Sequence, residues 1–405
     1  MHLTNITKMT LLQPLLFDPH PAYRAQIDHL AGLEGFHKAP ILPRDTIEHS
    51  RWLTRLETRW RRLRMAWLSA TLRPDRETLV YIAGTFPKYA HSLAHRCRVH
   101  LDADDPLAVL TGGGRGYIPG GDYRRQALDL LNAFSRNQLS LSFWSQVQLS
   151  NFLANLRFDE SRPWLESGRL FVLPPAIAPW DKPRAAVGST KALSILGIAS
   201  GKFWPKGIPD AIAACELAIK AGVNLQLTLV GGGIPKGKWH DYISSRGWIR
   251  NLGHVERSSL ETEFARSDVL IFPSHHDTYG WVIVEAKRYG VPAIATDFYS
   301  RPEIVSHEVD GLLVPEPFEN PFFPISNIMY GEAFFGISDR GELIVGEAIA
   351  DYVRQLADAI RRLAEDRLLL SAMGENARAS TIGSGSFSVA TRLARLERML
   401  GAHAR

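Results

Sequence analysis

The stretch Leu193–Gly233 reads LSILGIASGKFWPKGIPDAIAACELAIKAGVNLQLTLVGGG. Two short apolar runs, Leu193–Ile198 and Leu225–Val230, bracket a segment of helical periodicity, Ile208–Ala221, which Gly222 ends. Strand, helix and strand joined by short connections form the unit that builds a parallel sheet. The pattern continues outward. A helix around Lys238–Arg246 and a strand Ile249–Gly253 come next, then a helix Ser258–Arg266 with Ser258 or Ser259 as its cap. A strand Val269–Pro273, a helix Trp281–Tyr289 stopped by Gly290, and a strand Ala293–Thr296 follow. This alternation is that of a doubly wound α/β sheet.

Upstream the same rhythm is fainter. Apolar runs at Thr10–Phe17, Thr78–Ala83, Ala108–Thr111, Leu139–Phe143 and Leu170–Leu173 read as buried strands with helical stretches between them. A chain of 405 residues exceeds what one core usually holds, so two domains are expected. The first covers 1–178. A linker at 179–190 lies in the Pro- and Ala-rich stretch Pro174–Thr190. The second domain covers 191–385, and a last helix within 386–405 crosses back to the first. Residues 316–346, rich in Phe, Pro, Asn and Gly, break the rhythm and read as an irregular surface insertion. Glu347–Arg367 and Val389–Leu400 read as amphipathic helices.

Composition narrows the class. Apolar residues make up 45% and charged residues 22%, which is ordinary for a globular protein. No run of about eighteen apolar residues is long enough to span a membrane, and Met1–Thr10 lacks the features of a secretory signal. The two cysteines, Cys97 and Cys215, have neither metal-type spacing nor the number for a disulfide framework. A cytoplasmic protein is expected. A net charge of +5 suits anionic small substrates or an acidic membrane surface, and is too weak to argue for nucleic acid.

In a doubly wound sheet, ligands bind outside the carboxyl ends of the strands. The loop after Leu193–Ile198 carries Lys202 and Lys206 beside a helix start. A helix N-terminus already favours a phosphate, and two cations added there suit a diphosphate; two solvated surface lysines are the plainer alternative. Gly231-Gly-Gly233 follows the next strand and allows close backbone approach to a ligand, as it also allows a simple turn. In the segment Pro273–Glu285, Asp277 falls in a post-strand loop and Glu285 about one turn into the next helix. A glutamate among Val282, Ile283, Val284 and Ala286 needs a partner if buried. Ribose hydroxyls would serve, since a carboxylate accepts two hydrogen bonds from a diol. The alternative is a helix-surface glutamate.

Taken in order, Lys206-Gly207, Val230-Gly-Gly, Leu252-Gly-His254, Ser267–Ser274, Asp277-x-Tyr-Gly-x4-Glu285, Gly290–Thr296, Pro302-Glu-Ile-Val and Gly311–Pro315 form a set. It resembles the donor-binding domain of retaining glycosyltransferases of the GT-B fold, the group 1, family 4-like enzymes that include sucrose-synthase-like and bacterial polysaccharide members. The stretch Met373–Arg378 and the final helix also look like the end of that family. The resemblance implies two Rossmann-like doubly wound domains facing across a cleft. It implies Lys206, Asp277 and Glu285 as catalytic residues: Lys206 neutralises the donor diphosphate, Glu285 binds the nucleotide ribose, and Asp277 stands near the donor sugar. Lys202, Gly231, Gly232, His254, Ser274, Thr278, Tyr279 and Gly280 would line the donor pocket. Two departures stand out. Gly201 occupies the usual arginine position, with Lys202 one residue later, and Asp277 replaces a glutamate. No cofactor or metal is expected, because lysines and helix dipoles can stabilise the departing diphosphate.

The first domain offers fainter signals. His20 in the first post-strand loop, and Gly112 and Gly113 after another strand, could face the acceptor; a solvated turn is the alternative. His91 and His95 read as ordinary helix residues, and Asp102-Ala-Asp-Asp105 as a polar turn. Arg51–Arg73 holds seven arginines and one glutamate, with Trp52, Leu56, Trp60, Leu63 and Trp67 near one helical face. That suits either a helix lying on an anionic membrane or a domain helix with its tryptophans on the sheet. The expected activity is transfer of a hexose from a UDP- or GDP-sugar to a saccharide or lipid-linked acceptor in surface polysaccharide or glycolipid biosynthesis, at the inner face of the membrane if the arginine helix touches it. The rivals are a nucleotide-sugar epimerase or hydrolase of the same fold and a catalytically silent binding protein.

Overall fold

The computed structural model describes residues 8–12, 25–26, 28–29, 36–38, 78–83, 98–103, 123–134, 139–181, 192–199, 202–318 and 334–402. His20, His91, His95, Gly112, Gly113, Gly201, Ala108–Thr111 and the Arg51–Arg73 stretch lie outside the described residues. The chain divides into two units, Met1–Ala176 with Val389–Arg405, and Ile177–Ser388.

Among the described residues the first unit holds six strands: β1 (Lys8–Leu12), β2 (Phe36–Lys38), β3 (Thr78–Ala83), β4 (Arg98–Ala103), β5 (Leu139–Phe143) and β6 (Leu170–Val172). They run parallel in the order β2-β1-β3-β4-β5-β6. Helices α1 (Arg124–Phe134), α2 (Gln146–Ala154) and α3 (Phe158–Glu166) connect the later strands. Ser145 starts α2 with a reciprocal capping box to Gln148. The first strand begins at Lys8, two residues before the expected Thr10.

Asp102 corrects the expected polar turn. It lies inside β4 and is wholly buried. A buried carboxylate is tolerated only when its oxygens are satisfied. Ser142 Oγ (2.8 Å), Trp144 Nε1 (3.1 Å) and the Tyr81 hydroxyl donate to it. Arg392 of the C-terminal helix Val389–Ala402 forms an ion pair with it. The same guanidinium donates to the carbonyls of Leu173 (2.8 Å) and Pro174 (2.5 Å). Burial, then the Asp102 charge, pushes the Tyr81 phenol well above its ordinary pKa, so it remains a donor.

The second unit repeats the architecture with β7 (Leu193–Ile198), β8 (Leu225–Val230), β9 (Ile249–Asn251), β10 (Val269–Phe272), β11 (Ala293–Asp297) and β12 (Gly311–Pro315). All pair in parallel, in the order β12-β11-β10-β7-β8-β9. From β7 the chain winds one way to β8 and β9, then returns to the other side of β7 for β10. The direction of winding therefore switches between β7 and β10, and a switch point is where an open α/β sheet leaves a crevice.

Among the described residues seven helices accompany these strands: α4 (Ile208–Lys220), α5 (Lys238–Ser244), α6 (Arg257–Arg266), α7 (Trp281–Arg288), α8 (Arg301–Ile304), α9 (Glu347–Glu365) and α10 (Arg367–Ala379). Helix α4 starts at a left-handed Gly207, carries Pro209 in its first turn and ends with Lys220, an arrangement that fits helix polarity. Its Ala211, Ala214, Cys215 and Ala218 are buried in one core with Ile349, Val353, Leu356 and Ile360 of α9. Each large apolar side chain so buried contributes roughly 1.5–3 kcal/mol.

Three expectations in this unit need correction. Helix α6 begins at Arg257 with Glu256 as its N-cap, so Ser258 and Ser259 lie inside its first turn. The long helix from Glu347 ends at Glu365, and Asp366 caps a separate helix by accepting from Leu369 N–H at 2.8 Å. The insertion 316–346 is not wholly irregular. It contains an antiparallel hairpin, β13 (Phe335–Ile337) with β14 (Leu343–Val345), tied down by Lys238 to Asp339 (2.8 Å) and Arg246 to the Gly341 carbonyl (2.9 Å). Among the described residues no helix is long and apolar enough to cross a membrane.

Candidate active site

The loops that follow β7 and β10 are stitched together at the switch point. The Pro205 carbonyl accepts from the N–H groups of His275 (3.1 Å) and His276 (3.2 Å) and from the Ser274 hydroxyl (3.2 Å). Gly207 adopts φ +65°, and a Cβ there would lie 1.9 Å from the Pro273 carbonyl oxygen. Only glycine permits that approach. Ser274 is wholly buried, so its hydroxyl serves this seam.

The seam brings Lys206 onto Asp277, with which it forms an ion pair. The Lys206 ammonium also lies 5.6 Å from the Phe272 ring centre. Asp277 Oδ1 accepts from the N–H groups of Tyr279 (3.1 Å) and Gly280 (2.8 Å), which turns the chain into α7. Burial disfavours the charged carboxylate, but Lys206, Arg301 and the Tyr279 N–H outweigh it and hold Asp277 down at about 2. Lys202 and His276 complete a basic cluster. Partial burial and then repulsion from Lys206 lower the Lys202 pKa. Burial followed by the charges of Lys202 and Lys206 lowers that of His276. Two mutually repelling lysines at a helix start form a site that an anion would relieve.

Glu285 is buried in α7 and not on the helix surface, and its partner in this structure is Arg257, at 2.5 Å from Nη1 to Oε1. Gly231, Gly232 and His254 come together beside β8. Gly231 N–H donates to the Gly253 carbonyl at 2.7 Å, and a Cβ on Gly232 would lie 2.4 Å from His254 Nε2. Thr278 and Tyr279 are held by the Ser300 hydroxyl, which donates to their carbonyls at 3.1 and 2.7 Å. The Tyr279 side chain is buried, so this residue can offer a ligand little but backbone.

Beneath the loops lies a charged layer that sequence reading missed. His275 sits between Asp210 in the first turn of α4 (3.4 Å) and Glu316 just after β12 (2.8 Å). Burial opposes its protonation, but the two carboxylates raise its pKa to about 9. Arg301 is wholly buried under Asp277. A usable signal for Asp210 is its place on the apolar face of an alanine-rich helix. Arg301 gives none, because its neighbours in the chain do not disclose its burial. Among the described residues no cluster of three or more His, Cys, Asp or Glu is arranged to hold a metal ion.

Residues 191–321 match the model of the glycosyl transferases group 1 family. The chain is 27% identical over 230 residues to an exopolysaccharide phosphotransferase of Streptomyces coelicolor, covering 54% of this chain and 20% of the relative. It is 37% identical over 71 residues to O-antigen chain mannosyltransferase B of Escherichia coli, covering 18% of each. The matches thus span no more than a fifth of these curated relatives. Among solved structures, HepE of Anabaena in complex with UDP and glucose superposes with a TM-score of 0.61 at 17% identity, over 98% of this chain and 99% of that one. The fold is therefore GT-B, and residues 191–321 of the second unit are similar to the glycosyl transferases group 1 family.

Proposed function

We propose that the chain is a retaining, metal-independent hexosyltransferase. It takes a hexose from a UDP- or GDP-sugar and passes it to a saccharide or lipid-linked acceptor during surface polysaccharide or glycolipid assembly. The observation that carries this reading is the pairing of Lys206 with Asp277, beside Lys202, at the switch point of the second sheet. Cleavage of the sugar–phosphate bond leaves an oxocarbenium-like sugar and a diphosphate. Lys202, Lys206 and the N-terminus of α4 supply the positive charge this leaving group needs, and do so from the protein itself. Asp277 faces the electron-poor sugar, and Glu285 takes the ribose hydroxyls. The acceptor oxygen attacks from the face the phosphate leaves, and its proton passes to the departing phosphate oxygen. The arginine-rich stretch 51–73 would hold the enzyme at the inner membrane surface.

The polysaccharide assignment draws on the exopolysaccharide and O-antigen names of the relatives. The test is a thermal-shift panel of nucleotides and nucleotide sugars, since a true ligand raises apparent stability. Product analysis of the stabilising sugar donor follows. Glycosyl transfer releases a nucleoside diphosphate only when acceptor is present. Release of a monophosphate indicates phosphotransfer, and conversion of the sugar without acceptor indicates an epimerase or hydrolase. No stabilisation by any nucleotide overturns the reading.

A further inference from the structure

Among the described residues Arg301 is one of the largest wholly buried side chains. It begins α8, directly after the turn that leaves β11. Its Nε donates to the Thr296 carbonyl at 3.2 Å and its Nη1 to the Asp277 carbonyl at 3.5 Å. The remaining nitrogen, Nη2, has no partner among the described residues, and its guanidinium carbon lies 5.2 Å from the Phe298 ring centre. Burying a guanidinium is costly unless charge of opposite sign answers it. The groups that face it electrostatically are Asp277, Glu316, Tyr352 and Asp297. Those that face Asp277 are Lys206, Arg301, Lys202 and His276.

The Lys206–Asp277 pair poses a physical problem if Lys206 also serves a donor diphosphate. An ammonium drawn toward two phosphates weakens its hold on the carboxylate, and a carboxylate this enclosed would then lose its main counter-ion. Lys202 moves with the same anion. His276 has its protonation suppressed by both lysines. Arg301 alone in this set lies beneath the loop, away from solvent, bonded to the backbone of the residue whose charge is at stake.

We propose that Arg301 is a positioning residue: it keeps the Asp277 carboxylate ionised and its backbone fixed while the donor diphosphate engages Lys206. This rests on the donor-site reading above and adds to it a cation from a different element. Its burial prevents it from following the substrate. Ground-state binding of the nucleotide should therefore be nearly independent of Arg301, and turnover should not be.

The experiment compares wild type, Arg301→Gln and Arg301→Lys, each checked for folding by thermal melting. UDP and GDP affinities are measured by calorimetry, and turnover of the preferred UDP- or GDP-sugar is followed from acid to neutral pH. The glutamine variant keeps a donor for the carbonyls but removes the charge. It should lower kcat about tenfold or more, move the acid limb of the profile upward by about one unit, and leave nucleotide affinity within about twofold. The lysine variant should return the limb toward the wild-type position. If the glutamine variant does not fold, the lysine variant decides alone: a lower kcat with an unmoved limb and unchanged affinity supports the proposal. A glutamine profile superimposable on wild type, a loss confined to nucleotide affinity or, where only the lysine variant folds, a lysine variant indistinguishable from wild type overturns it. Wild-type protein that binds neither nucleotide removes the donor-site reading as well, so the two failures are told apart by the first measurement.

Discussion

The Arg257 guanidinium meets the Glu285 carboxylate at 2.5 Å, so the residue expected to hold a ribose is already engaged by the first residue of a neighbouring helix. The carboxylate is nearly enclosed and the arginine half-exposed. A ligand diol must therefore share Oε1 with Arg257 or use the second oxygen.

This pairing separates two roles by mutation. Glu285→Ala removes the proposed ribose acceptor and should weaken nucleoside diphosphate binding tenfold or more, about 1.4 kcal/mol. Arg257→Ala leaves the acceptor but strands its charge. It should lower stability by about 1–2 kcal/mol, between the values for exposed and buried pairs, and leave nucleotide affinity nearly intact. Calorimetry and denaturant melts on both variants check this. The opposite pattern would make the arginine the ligand.

Lys202 yields a prediction in protons. In the ligand-free protein, partial burial and the charge of Lys206 lower its pKa. A diphosphate beside it acts the other way and raises the pKa again. Binding at alkaline pH should accordingly take up protons, and affinity should fall as pH rises. Calorimetry in buffers of different ionisation enthalpy measures the uptake. Lys202→Met should abolish most of it, and an unchanged uptake in that variant would assign the proton elsewhere.

How much of this could be read from the chain depends on where each charge ends up. From Leu193 to Asp297 the elements are legible because short apolar runs alternate with helical segments punctuated by Gly222, Gly233 and Gly290. Lys206 and Asp277 are legible for the same reason, since each follows a recognisable strand. Strand β4 is not. His100 and Asp102 interrupt its apolar pattern, and the arginine that makes the interruption tolerable lies 290 residues away. Arg257, His275 and Arg301 are hidden likewise. Sequence displays a charge, whereas their roles arise from burial and from partners on other elements.

His275 should leave a mark on stability against pH. Its folded pKa, about 9, lies above the ordinary value of 6.5. The stabilisation is therefore fully present below about pH 6.5 and is lost as pH rises through about 9. At roughly 1.4 kcal/mol per unit, the loss amounts to a few kcal/mol. Melts from pH 6 to 10 should show a falling Tm in the wild type. In His275→Gln that slope should flatten, and an equal slope in both would dismiss the imidazolium as its origin.

Arg392 holds the C-terminal helix to the first unit through Asp102, the Tyr81 hydroxyl (3.0 Å) and two backbone carbonyls. Arg392→Ala strands a wholly buried carboxylate, and breaking such a pair typically costs about 3–5 kcal/mol. Asp102→Asn combined with Arg392→Ala should recover part of that loss, because no buried charge is then left unanswered. Denaturant unfolding of the single and double variants gives the coupling. A double variant no better than the single would mean that the carbonyl contacts of Arg392 dominate.

Two glycines of the second unit should respond oppositely to the same added methyl group. At Gly207 the new Cβ would sit 1.9 Å from the backbone oxygen of Pro273, at a φ of +65°. Neither backbone can yield without opening the seam between the loops after β7 and β10. Left-handed strain alone costs about 1–3 kcal/mol, and the clash adds to it. At Gly232 the obstacle is the far end of the exposed His254 side chain, 2.4 Å away, which can rotate aside. Gly207→Ala should thus unfold at a markedly lower temperature or lose nucleotide binding together with the seam. Gly232→Ala should melt within about 1 kcal/mol of the wild type, with any effect confined to ligand affinity through the displaced imidazole. Equal destabilisation of the two would show that the Pro205–His276 seam is not what holds Lys206 against Asp277.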